Sequence, residues 1–449
     1  MKRPDLRGQF IERLRQPRAA LSLYQRNFGK VPGTALAAGL AAQRILDRRT
    51  DRRGTHLAPA STDDRACSLA AVASKSLRLL DPIRPCLPVV GRRAAVTVLV
   101  PSIVPTASFG GVATALRVGA ELARQRTMAL RVVCTDTPSR DSDLKGHIEQ
   151  MAIDAPMDTE LINVHLRSLM PLDLRLDDLV VATTWWTAFL AESITRSRRF
   201  VYVVQDDEST FYAPGDYSVL AAASYSIVNA VPLVNSSVLL DHLRLTQPQM
   251  FDAETAVFEP AIDRVSFHRE EGRPDTRTLF FYARPDVPRN LFQVGLQALD
   301  LAARDSYFGD DWEFVMAGTA DRSVELSGQR VIRGKGKLDL PDYARLARRV
   351  DVGLSLMASP HPSYPPLELA ACGAEVVTNS FAGKRDLSRY SPNIVTVNPA
   401  PSSIAHALRA AHDRAEDPRE RVQADVQLPL SWLASLEDPI RALLNTGRF

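Results

Sequence analysis

The chain has 449 residues, 45% of them apolar and 24% charged, which is an ordinary globular composition spread over too great a length for a single core. Its four cysteines, Cys67, Cys86, Cys134 and Cys372, form no CxxC pair and no cluster with histidine; this argues against structural zinc and a disulfide framework and fits a reducing compartment. The net charge of +3 hides an asymmetry, because residues 1–57 carry thirteen Lys and Arg against four Asp and Glu, leaving the remainder acidic.

That basic lead has no apolar h-region of a signal peptide, and no stretch of the chain supplies the ~20 consecutive apolar residues of a membrane span. A cytoplasmic protein is expected. Residues 1–90 are read as a basic extension, helical or partly disordered. Pro17 and Gly29 interrupt "FIERLRQPRAALSLYQRNF", which favours a solvated segment packed on the main body over one lying on an anionic membrane at its inner face. Arginines without interleaved aromatics give no reason to expect nucleic acid as a partner.

From Ala94 onward short β-branched runs alternate with helical stretches, the signature of parallel α/β units. "AVTVLVPSI" reads as a buried strand and "GGVATALRVGAELARQR" as the helix after it. "LRVVCT", "DLVVATTWW", the helix "TAFLAESITR", "RFVYVVQD", "YSIVNA" and "VPLVNSSVLLDHLRL" complete a doubly wound domain over residues 91–262. Residues 263–275 are polar and turn-rich, as a linker should be. A second series, from "TLFFYARP" through "WEFVMAG", "QRVIRGKGKL" and "DVGLSLM" to "EVVTN" and "NIVTV", gives a second doubly wound domain over 276–430, and 431–449 a closing helix. Ligands in such folds lie at the carboxyl ends of strands, so a cleft between the domains is the expected site.

Four places carry candidate chemistry. Gly110 and Gly111 open a helix, where bare amides can meet an anion, although tight turns need glycine anyway. Arg284 leaves a strand and Arg289 precedes a helix, a spacing that suits a diphosphate clamp. Gln205 is followed by Asp206, Asp207 and Glu208 at a strand end, where the three acids either accept hydroxyl protons or cap the next segment. Lastly, Pro360, Pro362, Pro365 and Pro366 stiffen a loop that holds His361, Ser363 and Tyr364 and feeds a helix, with Glu368 expected in its first turn. There Glu368 either stabilises the helix or aims at a ligand.

The motifs "VVQDDESTFYAPGD", "FEPAIDRVSFH", "FYARPDVPRNLF" and "SLMASPHPSYPPLELAACGAEVVTN" together resemble the WsaF-type rhamnosyltransferases, which have the GT-B fold and are related to glycosyltransferase family four. The resemblance covers about residues 94–430. It implies two Rossmann-like domains facing a cleft, with the nucleotide sugar on the second and the acceptor on the first. Carried over, Arg284 and Arg289 hold the donor diphosphate, Glu368 contacts the ribose, and Gly110 and Gly111 face the reacting sugar. Family four has a second glutamate ahead of this one, and Pro360 stands near that place here, so His361, Ser363 and Tyr364 are left to take over its contacts. The implied reaction is transfer of rhamnose from dTDP-rhamnose to a glycan or lipid-linked glycan acceptor, with retention and with neither cofactor nor metal. Another UDP- or GDP-sugar, or an inactive scaffold of the same fold, is the alternative.

Overall fold

The computed structural model describes residues 77–83, 92–104, 110–165, 167, 170–270, 276–304, 307–417, 426–447 and 449. The expected basic extension lies outside these apart from residues 77–83, as does part of the expected linker. The strands of the first sheet are β1 (Ala95–Val100), β2 (Ala129–Cys134), β3 (Glu160–Asn163), β4 (Leu179–Ala182), β5 (Phe200–Val204), β6 (Ala230–Asn235) and β7 (Ala256–Phe258). They lie in the order β3-β2-β1-β4-β5-β6-β7, and every neighbouring pair is parallel. All six residues of β1 are buried, as the central strand of a sheet covered on both faces requires.

The covering helices are α1 (Gly110–Arg126), α2 (Asp141–Gln150), α3 (Trp185–Thr195), α4 (Asp216–Ala223) and α5 (Ser237–Thr246). One boundary differs from the sequence reading, which carried a strand through "TTWW". The strand stops at Ala182 and Thr184 caps α3, its side chain accepting the Thr187 amide, so both tryptophans are helical. Gly119 lets α1 lie close on the sheet, since a Cβ there would come within 2.4 Å of Val98.

The second sheet contains β8 (Arg277–Ala283), β9 (Trp312–Gly318), β10 (Val324–Leu326), β11 (Arg330–Gly334), β12 (Val352–Ser355), β13 (Glu375–Asn379) and β14 (Ile394–Val397), with α6 (Phe292–Ala303), α7 (Leu340–Ala347), α8 (Tyr364–Ala371) and α9 (Pro401–Glu416) packed on it. Its order is β10-β11-β9-β8-β12-β13-β14, parallel except for the short edge strand β10. Strand order reverses at β1/β4 in the first sheet and at β8/β12 in the second. Those switch points are where connections leave to opposite faces and a crevice opens.

The chain crosses between the sheets twice. Residues 259–267 lead from β7 towards the second sheet, and residues 426–431 lead back; the Ile262 amide donates to the Pro429 carbonyl at 3.3 Å. The last helix, α10 (Trp432–Asn445), therefore belongs to the first sheet's core, where Leu436, Ile440 and Leu443 pack with α1 and β1 residues.

Candidate active site

A cleft of about 1660 Å³ runs between the two sheets and is lined from both. The loops after β8 and β12 form one wall, which is the switch point of the second sheet. Arg284 and Arg289 both reach it, from either side of the turn that ends β8. Arg289 lies over the Phe211 ring at 3.8 Å, and its buried Nε has no hydrogen-bond partner among the described residues. Burial holds this guanidinium below its usual range, and the nearby Asp206 and Glu208 carboxyls pull the other way. Gly318 ends β9 at φ 139°, and a Cβ there would come within 2.4 Å of the Ala283 carbonyl oxygen, so glycine allows the two strand ends to close up beneath the cleft.

The proline loop is pinned from behind. Asn379 accepts the Met357 amide at 2.7 Å and donates to the Met357 carbonyl at 3.1 Å; fully buried Lys384 donates to the same carbonyl at 3.0 Å. Burial lowers the Lys384 amine to about 8, with Asp206 opposing. In front, Ser363 sits at φ 69° and its amide donates to His361 Nδ1 at 2.9 Å. His361 and Ser363 line the cleft, and their buried Nε2 and Oγ have no hydrogen-bond partner among the described residues. Burial, reinforced by Lys384, lowers the imidazole to about 3.

The helix that follows starts at Tyr364, earlier than expected, so Glu368 stands in its second turn and not its first. A stabilising role at the helix N-terminus is thereby removed, because the dipole's effect is confined to the first turn. Glu368 is half-buried in the cleft, and burial raises it to about 7, offset in part by the neighbouring Tyr343 hydroxyl. Tyr364 turns towards the other sheet. Its hydroxyl lies 3.2 Å from Thr114 Oγ1 on α1 and accepts from Asn235 Nδ2 at 2.9 Å.

The facing wall comes from the first sheet. Gly110 and Gly111 begin α1 at the cleft, and the Gly111 carbonyl accepts from the Gln205 side chain at 2.8 Å. The three neighbouring acids have separate fates. Asp206 accepts from Ser359 Oγ of the proline loop at 2.6 Å, and burial raises it to about 6. Glu208 accepts the Trp185 amide at the start of α3 at 2.6 Å, and burial raises it to about 8, with Asp206 adding to the rise. Asp207 faces away from the cleft: it caps the turn Glu208–Phe211 and receives Ser209 Oγ at 2.5 Å and His242 Nε2 at 3.2 Å. Burial alone would raise Asp207, but the His242 and Ser209 contacts hold it below the usual carboxylate range.

Three cleft cations, Arg117 and Arg124 on α1 and Lys337, were not singled out in the sequence. Lys337 stands exposed on the rim in the loop after β11, and Arg117, on α1, lies 4.6 Å from the Trp432 ring centroid with burial lowering it to about 10. None carries a motif; Lys337 is one of several basic residues in "RGKGK", and Arg117 and Arg124 share α1 with other polar residues, Glu121, Gln125 and Arg126 among them.

The N-terminal domain of WsaF matches residues 95–237, and its C-terminal domain matches residues 277–409. The chain belongs to the WsaF family of glycosyltransferases. Over 274 residues it is 35% identical to the O-antigen biosynthesis protein RfbC of Myxococcus xanthus; the match takes in 60% of this chain and 21% of that protein's length. Among solved structures, Anabaena Alr3699/HepE in complex with UDP-glucose superposes with a TM-score of 0.54 at 16% identity, covering 79% of this chain and all of the other. Its complex with UDP gives 0.51 at the same identity, covering 79% and 95%. The WsaF family match and these superpositions agree with the GT-B arrangement of two α/β sheets about a cleft. Among the described residues no helix is long and apolar enough to cross a membrane.

Proposed function

We propose that this WsaF-family chain transfers a hexosyl group, rhamnose from dTDP-rhamnose, to a glycan or lipid-linked glycan in surface polysaccharide synthesis. The observation that carries the reading is the convergence of Arg284, Arg289 and the start of α8 on one side of the cleft. Two guanidiniums at a switch point suit a diphosphate, whose charge grows as the glycosidic bond breaks. The cleft exceeds the ~300–1,000 Å³ of a typical ligand pocket, which leaves room for an acceptor beside the donor. RfbC is named for O-antigen biosynthesis, and HepE holds UDP-glucose; both fit a nucleotide-sugar enzyme of polysaccharide assembly.

In this reading Glu368 accepts the donor's ribose hydroxyls, the Gly110 and Gly111 end of α1 faces the transferred sugar, and Asp206, ionised near neutrality, orients or deprotonates the acceptor hydroxyl. Glu208 keeps its proton and assists as a neutral hydrogen-bond donor. The reaction takes place in the cytoplasm. Titration calorimetry with thymidine and dTDP tests the clamp. Arg284→Ala should weaken dTDP about tenfold or more and leave thymidine unchanged. Equal losses for the two would remove the diphosphate from this wall. Parallel titrations with UDP and GDP decide the base, and donor hydrolysis without acceptor separates an enzyme from a scaffold.

A further inference from the structure

His361 and Ser363 are 5% and 6% exposed, yet each ends in a polar atom with no hydrogen-bond partner among the described residues: Nε2 of the imidazole and Oγ of the hydroxyl. Buried polar groups are nearly always paired, so two orphans on one cleft wall need a reason. The Ser363 amide donates to Nδ1 at 2.9 Å, so Nδ1 is the unprotonated nitrogen and the proton of the neutral ring sits on Nε2. The unpaired nitrogen of this cleft-lining residue is therefore a donor and not an acceptor. Ser363 holds φ 69°, costly for a residue with a side chain, and this geometry belongs to the turn in which its amide meets the ring.

The loop's place indicates what these donors meet. It follows β12, which pairs with β8 so that Ser355 stands beside Tyr282, and the Ala358 amide donates to the Arg289 carbonyl at 2.7 Å. The orphaned donors thus share a wall with the two arginines, just ahead of α8. We propose that His361 Nε2–H and Ser363 Oγ–H form an uncharged pair of donors for the distal phosphate of a nucleoside diphosphate. This rests on the donor-site reading above and adds to it a selection for the second phosphate. Neutral donors fit the position, because Lys384 stands behind the ring and a further positive charge would be repelled.

His361→Asn keeps a side-chain oxygen able to accept the Ser363 amide but lacks the distal N–H, and Ser363→Ala removes only the hydroxyl. Each variant is titrated calorimetrically with thymidine, dTMP and dTDP, and with the uridine series in parallel, while a melting curve checks the fold. The expected result is melting like the wild type, unchanged nucleoside and monophosphate affinity, and diphosphate affinity lower by about tenfold. Wild-type diphosphate affinity in both folded variants, or equal losses for all three ligands, would overturn the pair. A wild type that binds none of the diphosphates would sink the donor-site reading and the pair with it.

Discussion

Asp206 and Asp207 share a composition, a neighbourhood and a motif, but one faces the cleft and the other caps a turn. No pattern in "QDDE" distinguishes them, because the difference arises from partners distant in sequence: Ser359 for the first and His242 for the second. Glu208 leads to a pH prediction. Its ordinary value of 4.5 is raised to about 8 by burial, so between those values the folded chain holds a proton that the unfolded chain releases. Stability should then fall as pH rises from about 4.5 to about 8. The difference in melting temperature between wild type and Glu208→Gln, which keeps a carbonyl for the Trp185 amide, should shift against the wild type as pH rises across that range; a difference that does not vary with pH would refute the assignment. Glu368 makes a separate case, since an ionised carboxylate is the better acceptor for ribose hydroxyls. Nucleotide affinity should climb as pH passes about 7 in the wild type. In Glu368→Gln it should be lower by ~1.5–3 kcal/mol and flat with pH, as calorimetry with circular dichroism as folding control would show.

At the level of elements, the runs of Val, Leu and Ile were readable as strands because strands buried on both faces have nothing polar to show, and the helices because their apolar residues recur at three and four. Less readable was the start of α8. Prolines fit the first turn, so the sequence allowed a start at Pro366, and only the packed structure extends the helix back to Tyr364. That shift lets Tyr364, which lines the cleft, reach the other sheet with its hydroxyl. Its hydroxyl joins the first residue of α8 to Thr114 on α1 and Asn235 at the end of β6, bridging the two sides of the cleft. Tyr364→Phe leaves the buried Asn235 amide without this partner, at a cost of ~1–3 kcal/mol. Nucleotide affinity should stay near wild type while turnover drops, because the lost contact orients one wall against the other. Steady-state kinetics beside dTDP titration would separate the two, and a matching fall in affinity would return Tyr364 to the donor site.

For the whole molecule, the sequence indicated two α/β halves, but it could not place the final helix, since an amphipathic segment says that one face is covered and not by what. The structure covers it with the first sheet: Leu436, Ile440 and Leu443 enter a core built mainly from residues 96–258. Leu436→Ala should therefore cost ~2–5 kcal/mol in denaturant unfolding, with hydrogen exchange rising in β1 and α1 and not in β12 and β13. Exchange rising only in the second sheet would contradict that packing. The returning segment has a mechanical effect as well. Two domains tied by one strand of chain can swivel about it as on a string, whereas these are tied by two adjacent segments that meet at Ile262 and Pro429. Two tethers side by side behave as the two leaves of a door hinge: twisting must stretch one of them, and bending stretches neither. Any opening of the cleft would thereby be confined to bending about that pair, which would bring the arginine wall back to the same height opposite Asp206 and Glu208.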